Sequence, residues 1–202
     1  MNKKLVLSLI MSAFVGGIAI AAGPQIEKPA PDFTLKNTQG KDVTLSSFQG
    51  KYVVLEWTNH DCPFVRKQYD SGNMQKLQKT YGDKGVVWLT IISSAKGKEG
   101  YVSAADAEKI RQEQKSNAIE VLLDPSGKVA KLYQAKTTPH MFVINPVGNV
   151  IYMGAIDDRP TVDVADVPGA KNYVARALDQ AMTGKTITDP VTKPYGCSVK
   201  YE

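Results

Sequence analysis

Apolar and polar positions along the chain fall into short stretches of two periods. Phe33 and Leu35 alternate with polar neighbours, as do Val43 and Leu45, which predicts two short strands around a turn at Gly40. The run Tyr52-Val53-Val54-Leu55-Glu56-Trp57 is β-branched and aromatic and reads as a buried central strand; Gly85 to Ile92 reads as a second. Pro63 to about Tyr81 has helical character, with Pro63 suited to the first helical position and Asp70-Ser71-Gly72-Asn73 expected to break or kink it. Ser103 to Ser116 is a charged helix, with Ser103 and Asp106 in capping-box spacing. Val121 to Leu123 is a short strand, Asp124-Pro125-Ser126-Gly127 a turn, and Lys128 to Tyr133 one or two helical turns. Met141–Ile144 and Val150–Met153 are strands joined by a hairpin at Asn145–Asn149. Val174, Ala177, Leu178 and Ala181 share one face of a last helix, Tyr173 to Met182, which Gly184 stops. Lys185 to Glu202 has little periodicity. Strands alternating with helices and followed by an antiparallel hairpin predict an α/β layer fold with a mixed sheet.

The first residues stand apart from this pattern. Lys3 and Lys4 precede an apolar stretch, Leu5 to Val15, and Ala19-Ile20-Ala21 places small residues two apart. No charge occurs between Lys4 and Glu27. This is the layout of a secretory signal peptide, and the apolar core is shorter than the ~20 residues a spanning helix needs. The chain of 202 residues therefore divides into a signal peptide (1–21), an extended Pro-rich lead-in (22–31), one domain (32–184) and a tail (185–202). The expected location is periplasmic or otherwise exported, with no stable membrane insertion after cleavage. With the two leader lysines gone, 23 basic against 20 acidic side chains leave +3. That is too mild, and too lacking in Arg/Lys stripes, to point to nucleic acid.

Disulfides form in an exported chain, yet this one has only two cysteines, Cys62 and Cys197, too few for a disulfide-held scaffold. Cys62 directly follows the strand-loop stretch ending Asn59-His60-Asp61 and precedes Pro63, which places it at a helix N-cap. Free N–H groups and the helix dipole favour an anion there, and so favour thiolate. Arg66, one turn on, is placed to add positive potential.

The order of strand, loop, Cys-Pro, long helix and, much later, Thr137-Thr138-Pro139 before a strand and hairpin resembles the thioredoxin fold. More narrowly it resembles the redoxins of the alkyl hydroperoxide reductase/thiol-specific antioxidant family. The matching segments are Ala30-Pro31-Asp32-Phe33, Val53 to Trp57 into Cys62-Pro63, Leu123 to Gly127, and Thr138 to Ile144, together about residues 27–155. The resemblance implies a central mixed sheet with helices on both faces. It also implies a cis Pro139 in a loop facing Cys62, and thiol chemistry at Cys62. Two departures matter. Thioredoxins carry Cys-x-x-Cys, and here the first position is Asn59. Peroxiredoxins carry Pro-x-x-x-Thr/Ser-x-x-Cys, and here those places are Leu55 and Asn59. Asn59 offers an amide where that family uses a hydroxyl on the peroxide, so peroxides are weaker candidate substrates than protein or small-molecule disulfides.

Cys197 lies in a turn-like tail segment, Lys193 to Cys197, expected to be mobile until tied down. Two roles stand open: a resolving thiol that attacks oxidised Cys62, or half of a permanent Cys62–Cys197 disulfide pinning the tail. The latter would close a loop of roughly 135 residues, worth up to ~5 kcal/mol. His60 and His140 flank the two loops expected to converge and are candidates for stabilising thiolate or carrying a proton. Glu56 in a buried strand is either a proton relay or turned to solvent, and Asp157-Asp158-Arg159 is expected near the edge of the cleft. The leading expectation is an exported thiol-disulfide oxidoreductase that needs no cofactor and no metal. The alternative is a non-catalytic thioredoxin-like binding or copper-handling protein using Cys62, His60, His140 and Cys197, with a structural disulfide.

Overall fold

The computed structural model describes residues 23–201; the expected leader, 1–21, lies outside the described residues. The chain forms β1 (Thr34–Asn37), β2 (Asp42–Thr44), β3 (Val53–Trp57), α1 (Pro63–Asp70), α2 (Asn73–Gly82), β4 (Val87–Ile92), α3 (Ala104–Glu113), β5 (Glu120–Leu123), α4 (Lys128–Tyr133), β6 (Thr137–Thr138), β7 (His140–Ile144), β8 (Val150–Gly154), α5 (Tyr173–Met182) and β9 (Cys197–Ser198). The main sheet has seven strands in the order β2-β1-β5-β4-β3-β7-β8. β3, β4 and β5 run parallel, and β1, β7 and β8 are added antiparallel. This is the mixed, thioredoxin-like α/β architecture the resemblance implies.

Central strands are covered on both faces, which is why β3 reads as an unbroken apolar run; all five of its residues are buried. Val53, Leu55 and Trp57 point to one face, with Leu89, Phe142 and α4 residues Val129, Ala130 and Tyr133. Val54 points to the other, with Trp88, Met141, Val143, and α1, α2 and α5 through Val65, Tyr69, Met74, Leu77, Val174 and Leu178. Cys62 belongs to this second layer. The long helix expected from Pro63 is two helices, because Gly72 takes a left-handed φ of 72° that ends one and starts the other. Ser103 caps α3 by accepting the Asp106 N–H.

The tail differs from expectation. With both thiols free, it is docked rather than loose. Met153 N–H donates to Pro190 O (3.0 Å) and Thr192 N–H to Met153 O (3.1 Å), so the tail runs beside β8. The Thr192 hydroxyl accepts the Ala155 N–H at 2.9 Å. Beyond it, β9 pairs antiparallel with β6, and Ala95 N–H donates to Lys200 O at 3.0 Å. Its sequence lacks a period because single side chains dock at irregular intervals while the backbone finds its own partners. Among the described residues no helix is long and apolar enough to cross a membrane.

Candidate functional site: two thiols at the Thr138 carbonyl

β3 delivers the chain to the end of the sheet, and the loop after it turns into α1. The Asn59 side-chain oxygen accepts the Asp61 N–H at 2.9 Å and its carbonyl accepts the Cys62 N–H at 3.1 Å. This turn sets Cys62 as the extended N-cap of α1, with Pro63 at the first helical position. Cys62 is fully buried. Its Sγ donates to the Thr138 carbonyl at 3.0 Å across 76 residues of sequence.

Thr138 precedes a cis Pro139 and lies in β6. Its register partner in β9 is Cys197. Gly196, at φ 132°, lies so close that a Cβ there would run into the Thr138 carbonyl. One residue therefore touches both cysteine segments. Burial first, then hydrogen bonding to Cys62 and the charge on it, push the Cys197 thiol up to about 12. Cys197 thus holds its proton more firmly than an ordinary thiol.

The remaining residues expected at the site divide. Asn59 is buried, and its amide donates to Glu99 Oε1 at 3.2 Å, while Glu99 faces Lys200 of the tail at 3.9 Å. Its hydrogen-bonding capacity is engaged in holding the loop. His60 is half-buried, 3.4 Å from the Asp61 carboxylate, with no hydrogen bond to Cys62 among the described residues. Arg66 is exposed on α1. His140 does not join the thiols. In β7 it alternates with Met141, so it shares a face with Phe142, on which it stacks at 4.6 Å, whereas Cys62 packs on the Met141 face. Its Nδ1 accepts the Lys136 N–H at 3.2 Å, and burial, then Lys136, lowers it to about 4. Glu56 is not turned to solvent. It accepts from Trp88 Nε1 (2.8 Å), Tyr69 Oη (2.9 Å) and Gln78 Nε2 (3.3 Å), and burial outweighs these donors to raise it to about 7. Among the described residues no group of three or more His, Cys, Asp or Glu is placed to hold a metal ion, so the set expected for copper handling is not assembled.

The AhpC/TSA family description matches residues 26–153, which include β1 to β7, most of β8, Cys62 and the Thr138–Pro139 bond. The chain belongs to the AhpC/TSA family. As a member it is 30% identical over 140 residues to the thioredoxin-like protein YneN of Bacillus subtilis, covering 68% of this chain and 76% of that one. It is 28% identical over 141 residues to the B. subtilis thiol-disulfide oxidoreductase ResA, covering 69% and 70%. Its fold matches the crystal structure of an uncharacterised conserved protein from Geobacillus kaustophilus with a TM-score of 0.75 at 27% identity, over 88% of this chain and 93% of that one. The family match ends at Met153, so Cys197 and the rest of the tail lie beyond it, although the tail docks on residues within it such as Thr138 and Met153.

Sequence reasoning missed a buried polar cluster that contacts the tail just before Cys197. Lys67, Gln68 and Tyr195 carried no motif signal, and Asp157 was expected only near the cleft edge. The sole hint was the composition of α1, in which Lys67 and Gln68 occupy buried positions.

Proposed function

We propose that this AhpC/TSA-family protein is an exported thiol-disulfide oxidoreductase in which Cys62 is the nucleophile and Cys197 the resolving thiol. The carrying observation is that both cysteine segments meet at Thr138, one through its carbonyl and one through strand pairing. In the exchange, Cys62 thiolate attacks one sulfur of a client disulfide. A mixed disulfide forms, and the first client sulfur leaves as a thiolate that takes up a proton. Cys197, giving up its proton, then attacks the Cys62 sulfur, and the second client sulfur departs as a thiol. The client has gained two electrons and two protons, and the protein holds a Cys62–Cys197 disulfide, which an external dithiol reduces. Because Cys62 is fully buried under the docked tail, the first attack requires the tail to lift. Asn59 is committed to Asp61 and Glu99, which supports disulfides over peroxides as substrate. The copper-handling alternative is not favoured, since His140 packs on the far face of the sheet.

The test is the oxidised mature protein, recovered from the exported fraction, mapped by mass spectrometry and assayed for insulin reduction with a dithiol donor. A 62–197 bond, turnover lost in Cys62→Ser, and a trapped mixed disulfide in Cys197→Ser are expected. Wild-type turnover that survives Cys62→Ser would sink the reading, and so would rapid peroxide consumption without disulfide exchange.

A further inference from the structure

A second cluster of buried polar groups lies one helical turn from Cys62 and serves no step above. On α1, Phe64, Lys67 and Gln68 have the i, i+3, i+4 spacing of one face. Gln68 Nε2 donates to Asp157 Oδ2 at 2.7 Å, and Gln68 is itself fixed in orientation because Asn73 Nδ2 donates to its Oε1 at 2.6 Å. Asp157 Oδ1 accepts the Arg159 N–H at 2.9 Å and the Tyr195 hydroxyl. Lys67 Nζ donates to the Arg159 carbonyl at 2.6 Å, stands 3.9 Å from Asp157 Oδ1, and lies 5.4 Å from the centre of the Tyr195 ring. Phe64 meets the same ring edge-on at 5.7 Å. Lys67, Gln68 and Asp157 are each at most 1% exposed.

Simple adhesion of a tail needs only an apolar contact. Burying a lysine and an aspartate is costly, and a fully satisfied network returns a single fixed geometry. What this geometry fixes is Tyr195, two residues before Cys197. Two extended residues reach about 7 Å, and Gly196 between them is already pressed against Thr138. Cys62 caps the same helix whose next turn grips Tyr195. The positions of both sulfurs are thus set from α1.

We propose that Tyr195 is the positioning residue for Cys197: gripped by Phe64, Lys67, Gln68 and Asp157, it holds the second sulfur at the first and keeps the tail closed over Cys62. This deepens the thiol-exchange reading and rests on it. The consequence is a high effective concentration of Cys197 at Cys62. It is read from the equilibrium in which one glutathione thiolate attacks the Cys62–Cys197 bond, forming a mixed disulfide and freeing one protein thiol. A second glutathione then attacks that mixed disulfide. Glutathione disulfide leaves, and the protein has gained two electrons and two protons.

The experiment equilibrates the full mature chain in glutathione buffers and quantifies the 62–197 bond by mass mapping. Tyr195→Phe keeps the ring and loses the hydroxyl; Tyr195→Ala loses both; Asp157→Asn weakens the acceptor. The expected fall in effective concentration is about tenfold for Tyr195→Phe and Asp157→Asn and about a hundredfold for Tyr195→Ala, the scale of hydrogen bonds to charged groups. In a Cys197→Ser background the same Tyr195 changes should speed iodoacetamide labelling of Cys62 by matching factors, while the melting temperature of the reduced protein stays within about 2 °C. Equilibria within twofold of wild type for both Tyr195 variants overturn the proposal. A lowered melting temperature with unchanged bond equilibrium overturns it too, since Tyr195 is then ordinary glue. A wild type that forms the bond yet never exchanges with insulin defeats the oxidoreductase reading alone, because the glutathione equilibrium does not depend on any client.

Discussion

Cys62 and Cys197 reach the same residue by different means. Cys62 sits where a buried central strand hands over to a helix, within the apolar cluster that also holds Val65, Tyr69 and Met141. Its position follows from the core and moves only if the core moves. Cys197 sits on a two-residue strand in a segment held at separate points, Thr192, Tyr195, Lys200 and Tyr201. The body is a cooperative unit, whereas the tail is a candidate for local opening at much lower free energy. The proposed exchange would use this asymmetry: the buried thiol is protected and fixed, and the other would come and go.

That contrast predicts a ranked set of effects. The largest comes from the body: Phe142→Ala removes a ring that packs on Trp57 and Tyr133, and should cost about 4 kcal/mol in urea unfolding. Because the tail opens locally, its protection from hydrogen exchange should change less than that of the body. Equal losses in both regions would break the comparison.

Next come the two buried titrating groups of the body, which act in opposite senses. Glu56 is raised from 4.5 to about 7, so between those values the folded state holds a proton the unfolded state has released, and its contribution falls as pH rises. His140 is lowered from 6.5 to about 4, so the unfolded state takes the proton first, and its contribution is lost as pH falls. Their windows overlap, and the two slopes largely offset. Glu56→Gln removes one of them. Relative to wild type, it should gain roughly 3 kcal/mol of stability between pH 4.5 and about pH 7, measured as urea midpoints. An unchanged relative slope would remove Glu56 as a buried acid.

The tail is probed by Gly196→Ala. Its φ of 132° is a glycine conformation, and a Cβ would strike the Thr138 carbonyl. A penalty of about 2 kcal/mol should fall on docking alone, opening Cys62 to alkylation roughly thirtyfold faster while the body melts as before. If the body melts earlier by a comparable amount, tail and body are one cooperative unit. The smallest effect is expected at Arg66. It is exposed on α1, and Arg66→Ala should alter the Cys62 alkylation rate by less than about twofold at physiological salt.

The elements were largely legible. β3 and β4 announce themselves because strands covered on both faces are apolar throughout, and the break at Gly72 because a left-handed φ favours glycine. The β7–β8 hairpin follows from its turn residues. The site was half legible. Cys62 before Pro63 marks a helix cap from local chemistry alone, and the family resemblance added the Pro139 loop. His140 was misplaced because alternation says that it and Met141 face opposite ways, but not which face carries α1. β6 and β9 are two residues each, too short to leave a period.

By itself, then, the sequence determined the local choices: period, cap, turn, break, and the presence of two thiols. Those depend on residues within a few positions of one another. Only the tertiary structure decided that Cys62 faces Thr138 across 76 residues, that Cys197 pairs with the same threonine across 59, and that Tyr195 finds Asp157 across 38. Such contacts are set by how layers close over the sheet, and a chain read residue by residue holds no periodic trace of them.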